Sequence, residues 1–252
     1  MQLRPNLNVF VLTLFAAGCG RVSFSPAADS GVIDATPLDA QVFDGIRFRM
    51  DIDPTLAGGF IVAEPAQYSV SCGAMCPSSV AGMLGQAFYF DGTKHVDLGQ
   101  LIDATNPYTI AFWLRPDVLT AGREVSVPIG QALSSTTILD QVSFILRAQN
   151  LVGFEGTYAG IQVHTAVTLD VRNAWHHFAL VQNGMSRELF IDGLFATMQV
   201  GPWATTSVEP VRLGADSDQT QAAFRYLGAI DDLRIYPRAL TAAELGQVVL
   251  ER

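Results

Sequence analysis

From about residue 44 onward, apolar positions come in short runs rich in β-branched and aromatic residues, with Gly, Pro, Asn and Asp between them. The clearest runs cover 46–50, 86–90, 108–115, 141–147, 160–169, 175–182, 188–191 and 227–236, and each is predicted as a strand. Asn183-Gly184 and Asp192-Gly193 predict tight hairpins, because both central positions of a type I′ turn need positive φ. Many short strands at this spacing predict an antiparallel sandwich. Helical spacing is convincing only at the end of the chain. Thr241-Ala-Ala-Glu244 has the form of a capping box, and Leu245, Val248 and Val249 follow on one face, so a short helix is expected to pack against the sandwich.

Upstream the pattern differs. Arg4 precedes the apolar stretch 9–17 (VFVLTLFAA), which is too short for a stable transmembrane helix and reads as the core of a signal peptide. Ala16-Ala17-Gly18-Cys19 follows and resembles the lipobox of bacterial lipoproteins, with Ala16 where Leu is usual. The resemblance implies lipid on Cys19 and cleavage before it; plain secretion with Cys19 incidental is the alternative. Gly20, standing where Asp would resemble an inner-membrane retention signal, points to the outer membrane. Residues 20–43 have few aromatics and little periodicity, and Asp recurs at 29, 34, 39 and 44. Such a segment cannot bury enough surface to offset its ordering entropy and is expected to be a disordered tether reaching roughly 25–30 Å. The expected organisation is therefore a leader over 1–19, a tether over 20–43 and one folded domain over 44–252.

Of 252 residues 49% are hydrophobic, ample for a large core. The net charge is −9, and Lys94 is the only lysine among 15 cationic residues. No basic cluster occurs, so the electrostatic attraction that drives nucleic-acid binding is missing.

Five segments carry a family resemblance. They are 86–99 (QAFYFDGTKHVDLG), 108–116 (YTIAFWLRP), 175–193 (WHHFALVQNGMSRELFIDG), 211–215 (VRLGA) and 227–245 (LGAIDDLRIYPRALTAAEL). In residues and order they resemble the laminin-G-like, concanavalin A-like jelly-roll domains, over roughly 44–250. The resemblance implies an all-β fold of two antiparallel sheets packed face to face, one of them concave. It is weakest over 51–80, where this chain carries Cys72-Gly-Ala-Met-Cys76.

Three cysteines in an exported chain leave one over; with Cys19 lipidated, Cys72 and Cys76 remain, and a disulfide closing their small loop is the default, against free thiols or a metal. Jelly-roll relatives often hold a structural calcium at an Asp of the last strand. That resemblance places calcium at Asp232, with Asp51 as a second ligand; the alternative is that Asp232 pairs with an arginine such as Arg234. Trp175, His176 and His177 are expected on one strand, with Trp175 and His177 on one face. No nucleophile motif accompanies them, which favours a structural role. The E-x-D-x-(x)-E carboxylates of jelly-roll glucanases have no counterpart among the seven scattered glutamates, so no enzyme activity is expected. Tyr158, Trp203 and Phe224, in loop-like contexts, are the candidates for stacking on sugar rings.

Together these features predict a non-catalytic module on a membrane-anchored lipoprotein, recognising a glycan or a cell-surface protein. A structural envelope component and a glycoside-active enzyme are the alternatives.

Overall fold

A computed structural model of the chain describes residues 44–49, 60–117, 125–134, 139–148, 150–158, 161–203, 206–215 and 224–251. Residues 1–43, which hold the expected leader, Cys19 and the expected tether, and Asp51 lie outside the described residues.

In chain order the strands are β1 (Ile46–Arg49), β2 (Phe60–Glu64), β3 (Val70–Ser71), β4 (Ser78–Ala81), β5 (Gln86–Asp91), β6 (Val96–Asp97), β7 (Tyr108–Pro116), β8 (Val125–Ser126) and β9 (Ile129–Ala132). They continue with β10 (Asp140–Arg147), β11 (Leu151–Tyr158), β12 (Ile161–Thr168), β13 (His176–Asn183), β14 (Ser186–Ile191), β15 (Leu194–Val200), β16 (Arg212–Leu213) and β17 (Leu227–Tyr236). One helix, α1 (Ala242–Leu250), follows. The strands form two antiparallel sheets, as the spacing of the short strands predicts. The larger has the order β15-β14-β13-β7-β17-β1-β2-β3, with β5 on β17 and β4 on β5. The smaller runs β12-β11-β10-β9-β16-β6, with β8 on β10.

The core lies between the sheets. Phe112 of β7 meets Phe144 of β10 edge-on at 4.7 Å and stacks on Phe178 of β13 at 5.9 Å, and all three are buried. A second apolar cluster lies on the outer side of the larger sheet. There Leu245 and Val248 of α1 cover Ala111, Ala179, Val181, Phe190 and Tyr236. The capping box forms as expected: Glu244 N–H donates to Thr241 Oγ1, and Thr241 N–H donates to Glu244 Oε2. It aligns the helix so that its apolar side closes this face.

Of the two expected hairpins, one has the register foreseen. Asp192 and Gly193, with φ of 52° and 79°, link the pair Ile191–Leu194. The other is shifted by one residue. Asn183 is itself paired with Ser186, so the central residues are Gly184 and Met185, and only Gly184 has positive φ. A II′-like turn, which asks for glycine at its first central position alone, accounts for the shift.

Two further features position the site. Strand β11, LVGFEGTY, lies outside the predicted strands and carries two glycines. Gly156 is required there by close approach: a Cβ would collide with the guanidinium of Arg187, which lies between the sheets. A bulge between Asp231 and Arg234 also breaks the β7–β17 register, and Asp232 takes φ 48°. This conformation is uncommon but tolerated for Asp.

Candidate ligand-binding face

Each sheet has one outer side. That of the larger sheet is taken up by α1 and by a network of buried charges. Asp232 accepts from Arg47 through Oδ1 and from Arg234 through Oδ2, the latter at 2.7 Å, and Arg234 also pairs with Glu251 beyond the helix. The outer side of the smaller sheet carries a different chemistry.

Register places six residues in one row across that sheet: Asp97, Arg212, Gly130, Ser143, Glu155 and His164, on β6, β16, β9, β10, β11 and β12. Directly opposed residues share a face, so these side chains project on the side away from the core, while Val142, Phe144 and Leu213 point inward. The middle of the row has the smallest side chains, Gly130 and Ser143, and charged groups flank it. Arg212 grips Asp97 through two bonds, of 2.5 and 3.1 Å.

A hydrogen-bonded chain crosses the β10–β12 side of this face. Arg147 donates to Glu155 Oε1 at 2.6 Å, and Gln162 Nε2 donates to Glu155 Oε2 and to Asp140 Oδ2, both at 2.9 Å. Asp140 reaches this face because the bulge between Asp140 and Val142 inserts Gln141 and reverses the alternation. On the same face Ser143 Oγ and Thr157 Oγ1 are buried without a hydrogen-bond partner among the described residues. A hydroxyl buried in that way costs about 1–3 kcal/mol until something bonds to it. The two hydroxyls are closed off from solvent, so what the face offers a ligand is the partly exposed Arg147–Glu155 pair and the Gln162 amide beside it, groups that a polyhydroxylated ligand matches. Among the described residues no group of three or more His, Cys, Asp or Glu is placed to hold a metal ion.

The expected site residues are scattered. Cys72 and Cys76 are joined in a disulfide, with Cα atoms 4.8 Å apart. Trp203 is not an exposed stacking platform. It is fully buried, with the Arg187 guanidinium 4.3 Å above its ring, because the loop after β15 tucks it over the end of the core to cover that charge. Phe224 is half-buried, and its carbonyl accepts from Val127 N–H at 2.9 Å. The Tyr158 side chain lies outside the described residues. Asp232 lies inside β17, and both its oxygens are bonded to guanidinium groups. Two positive charges at that distance do not fit a cation, so the residues around Asp232 do not fit calcium; Asp51, the other expected ligand, lies outside the described residues.

The Trp-His-His run behaves structurally. His177 is buried edge-on to Trp113 at 5.3 Å. Burial, reinforced by the Arg234 charge, lowers its pKa to about 4 and keeps it neutral. His176 faces the other way and bonds to Asp192 at 2.8 Å. Beside His177 across Trp113, Asp231 is raised to about 6 by burial, although Leu84 N–H donates to it at 2.8 Å.

Sequence reading did not single out Arg187, Gln162, Glu155, Ser143 or Thr157. Each is unremarkable in its own strand, and only cross-strand register brings them together.

A family model described as the concanavalin A-like lectin/glucanases superfamily matches residues 90–246. Solved structures with the same fold include the binding domain of Paraclostridial Mosquitocidal Protein 1, at 13% identity and a TM-score of 0.57. That match covers 69% of this chain and 45% of the other, so this chain spans less than half of that structure. Domain 4 of AbnA, an extracellular arabinanase from Geobacillus stearothermophilus solved with arabinotriose, is similar at 18% identity and a TM-score of 0.55, over 70% of this chain and 82% of that one. A carbohydrate-binding module of the Ruminococcus gnavus IT-sialidase, bound to α2,6-sialyllactose, is similar at 18% identity and a TM-score of 0.53, over 65% and 96%. At these identities the likeness is one of fold. No curated protein sequence matches this chain.

Proposed function

We propose that this chain, which belongs to the concanavalin A-like lectin/glucanases superfamily, is a non-catalytic glycan-binding module that is displayed at the cell envelope. One observation carries the reading: the outer face of the smaller sheet carries the hydrogen-bonded Arg147–Glu155–Gln162–Asp140 chain, and the Arg147 and Glu155 side chains in it are 32% and 13% exposed. Sugar hydroxyls both donate and accept, so one ligand can bond to a carboxylate and to a guanidinium or amide in the same row. The similar modules from the arabinanase and the sialidase, solved with arabinotriose and with sialyllactose, support a glycan as the class of ligand. The lipid on Cys19 and the outer-membrane address belong to this proposal too; they rest on the lipobox and on Gly20.

A glycan array probed with the full chain tests the reading. Binding to at least one glycan is expected, about tenfold weaker for Gln162→Ala, which cuts the link between Asp140 and Glu155. Unchanged binding by that variant would move the site elsewhere, and hydrolysis of the bound glycan would overturn the non-catalytic assignment. Labelling with radioactive palmitate should disappear in Cys19→Ser; label retained there would refute the anchor.

A further inference from the structure

We infer that the chain has a second glycan-binding site, on the outer side of the larger sheet beyond α1, where Tyr89, Arg115, Asp117 and Trp175 meet the hydroxyls of a sugar. The inference rests on the glycan-binding reading and goes beyond it by adding a site across the core from the first.

Cross-strand register builds this site. Ala229 of β17 pairs with Tyr89 of β5 on one side and with Arg115 of β7 on the other. His176 pairs with Leu114, which sets Trp175 beside Arg115 at the next position. Alternation points these side chains outward, because their strand neighbours Phe88, Ile230 and Leu114 belong to the core. Ala229 is the small residue of the row, so nothing bulky stands between Tyr89 and Arg115. Asp117 comes two residues after Arg115 and is reached from the same side by the Tyr89 hydroxyl, which donates to Asp117 Oδ2 at 2.8 Å. Tyr89, Arg115, Asp117 and Trp175 are all half-buried, so each keeps a part open to solvent.

The four are fixed in a way that leaves bonding positions open. The Arg115 guanidinium lies over the Trp175 ring, 5.2 Å from its centroid. Stacking engages the flat face of a guanidinium and leaves its in-plane N–H groups able to donate. No acceptor among the described residues takes up the Arg115 N–H groups. Asp117 is held through Oδ2 alone, and its Oδ1 has no hydrogen-bond partner among the described residues. The bond to Asp117, together with burial, raises the pKa of Tyr89, so its hydroxyl keeps the proton it donates. A charged donor and a charged acceptor are thus each steadied by an aromatic ring. Sugar hydroxyls donate to Asp117 and accept from Arg115, and the half-exposed rings of Tyr89 and Trp175 offer apolar surface to the sugar's C–H groups. Because both charged groups are already oriented, little ordering is left for the ligand to impose.

Isothermal titration of the full chain with xylohexaose, cellohexaose and laminarihexaose tests the inference. At least one of them should bind at two sites per chain. Arg115→Gln should weaken one site by at least about tenfold and spare the other, and Asp117→Asn should weaken the same one. Gln162→Ala should weaken only the site on the smaller sheet. Thermal melting checks the fold of each variant. Arg115→Lys keeps a charge over Trp175 but loses the forked donors, and it carries the same expectation if Arg115→Gln does not fold. A single site that is lost in Gln162→Ala and unchanged in the Arg115 and Asp117 variants would overturn the inference and leave the glycan-binding reading standing. A single site lost in the Arg115 variant and unchanged in Gln162→Ala would uphold the inference and remove the site on the smaller sheet. Binding to none of the three sugars would overturn both.

Discussion

The guanidinium of Arg187 lies over the ring of Trp203 at 4.3 Å, both side chains wholly inside the domain. No carboxylate reaches this arginine among the described residues. Its Nε donates to Gln182 at 2.7 Å and its Nη1 to the Gln141 carbonyl at 2.7 Å, so amide oxygens and an aromatic face stand in for a counter-ion. Trp203→Ala should then remove packing and uncover the charge together. The expected loss is about 3–5 kcal/mol in urea unfolding, and a loss under about 1 kcal/mol would show the contact to be incidental.

Asp232 sits between Arg47 and Arg234 with its side chain 2% exposed. Asp232→Asn should cost about 3–5 kcal/mol, because the buried guanidinium of Arg234 and the part-buried one of Arg47 lose their shared counter-charge. Calcium or a chelator should leave the wild-type melting temperature unchanged; a calcium-dependent rise lost in this variant would restore the cation assignment.

Asp231 and His177 titrate in opposite senses across Trp113. Asp231 is raised by burial to about 6, so its contribution to stability is complete below its ordinary range near 3.8 and is lost as pH rises through about 6. His177 is lowered by burial to about 4, so its contribution is complete above 6.5 and is lost as pH falls through about 4. Between about pH 4 and 6 the two slopes oppose each other, and the pair should leave little net pH dependence. Asp231→Asn should expose the histidine, with stability rising by up to about 1.4 kcal/mol per pH unit over that window. His177→Gln should show the opposite slope. Parallel curves for both variants would refute the compensation.

The Cys72–Cys76 bridge closes a loop of sequence separation 4. So short a closure restricts the unfolded chain little, and a Cys72→Ser/Cys76→Ser variant should lose about 2 kcal/mol while keeping its ligand. Loss of binding in that variant would place the loop in the site.

Strands with a continuous apolar or alternating signal were legible without a structure, among them β7, β13 and β17, as was α1 through its capping box. Strand β11 was hidden, because Gly153 and Gly156 answer to neighbours far off in the chain: Gly153 to the β12 backbone, and Gly156 to Arg187. Trp203 misled for the same reason. A tryptophan after Gly-Pro suggests an exposed loop until Arg187, sixteen residues earlier, is known to need cover. The polar face was invisible because pairing such as Ser143 with Glu155, or Thr157 with Gln162, is a property of register. The bulge that turns Asp140 outward has no local sequence signal of its own.

The first and last strands are neighbours: Ile46, Arg47 and Phe48 pair with Ile235, Arg234 and Leu233. Any pull reaching the domain through the chain before Asp44 is therefore borne first by β1, four residues long and clasped by β17 and β2. The Arg47–Asp232 bridge and the buried ring of Phe48 act as a rivet under tension. A ligand held on the smaller sheet would draw from the other side of the core, so the molecule would be loaded across its thickness, with β1 as the element that sets how much force it withstands.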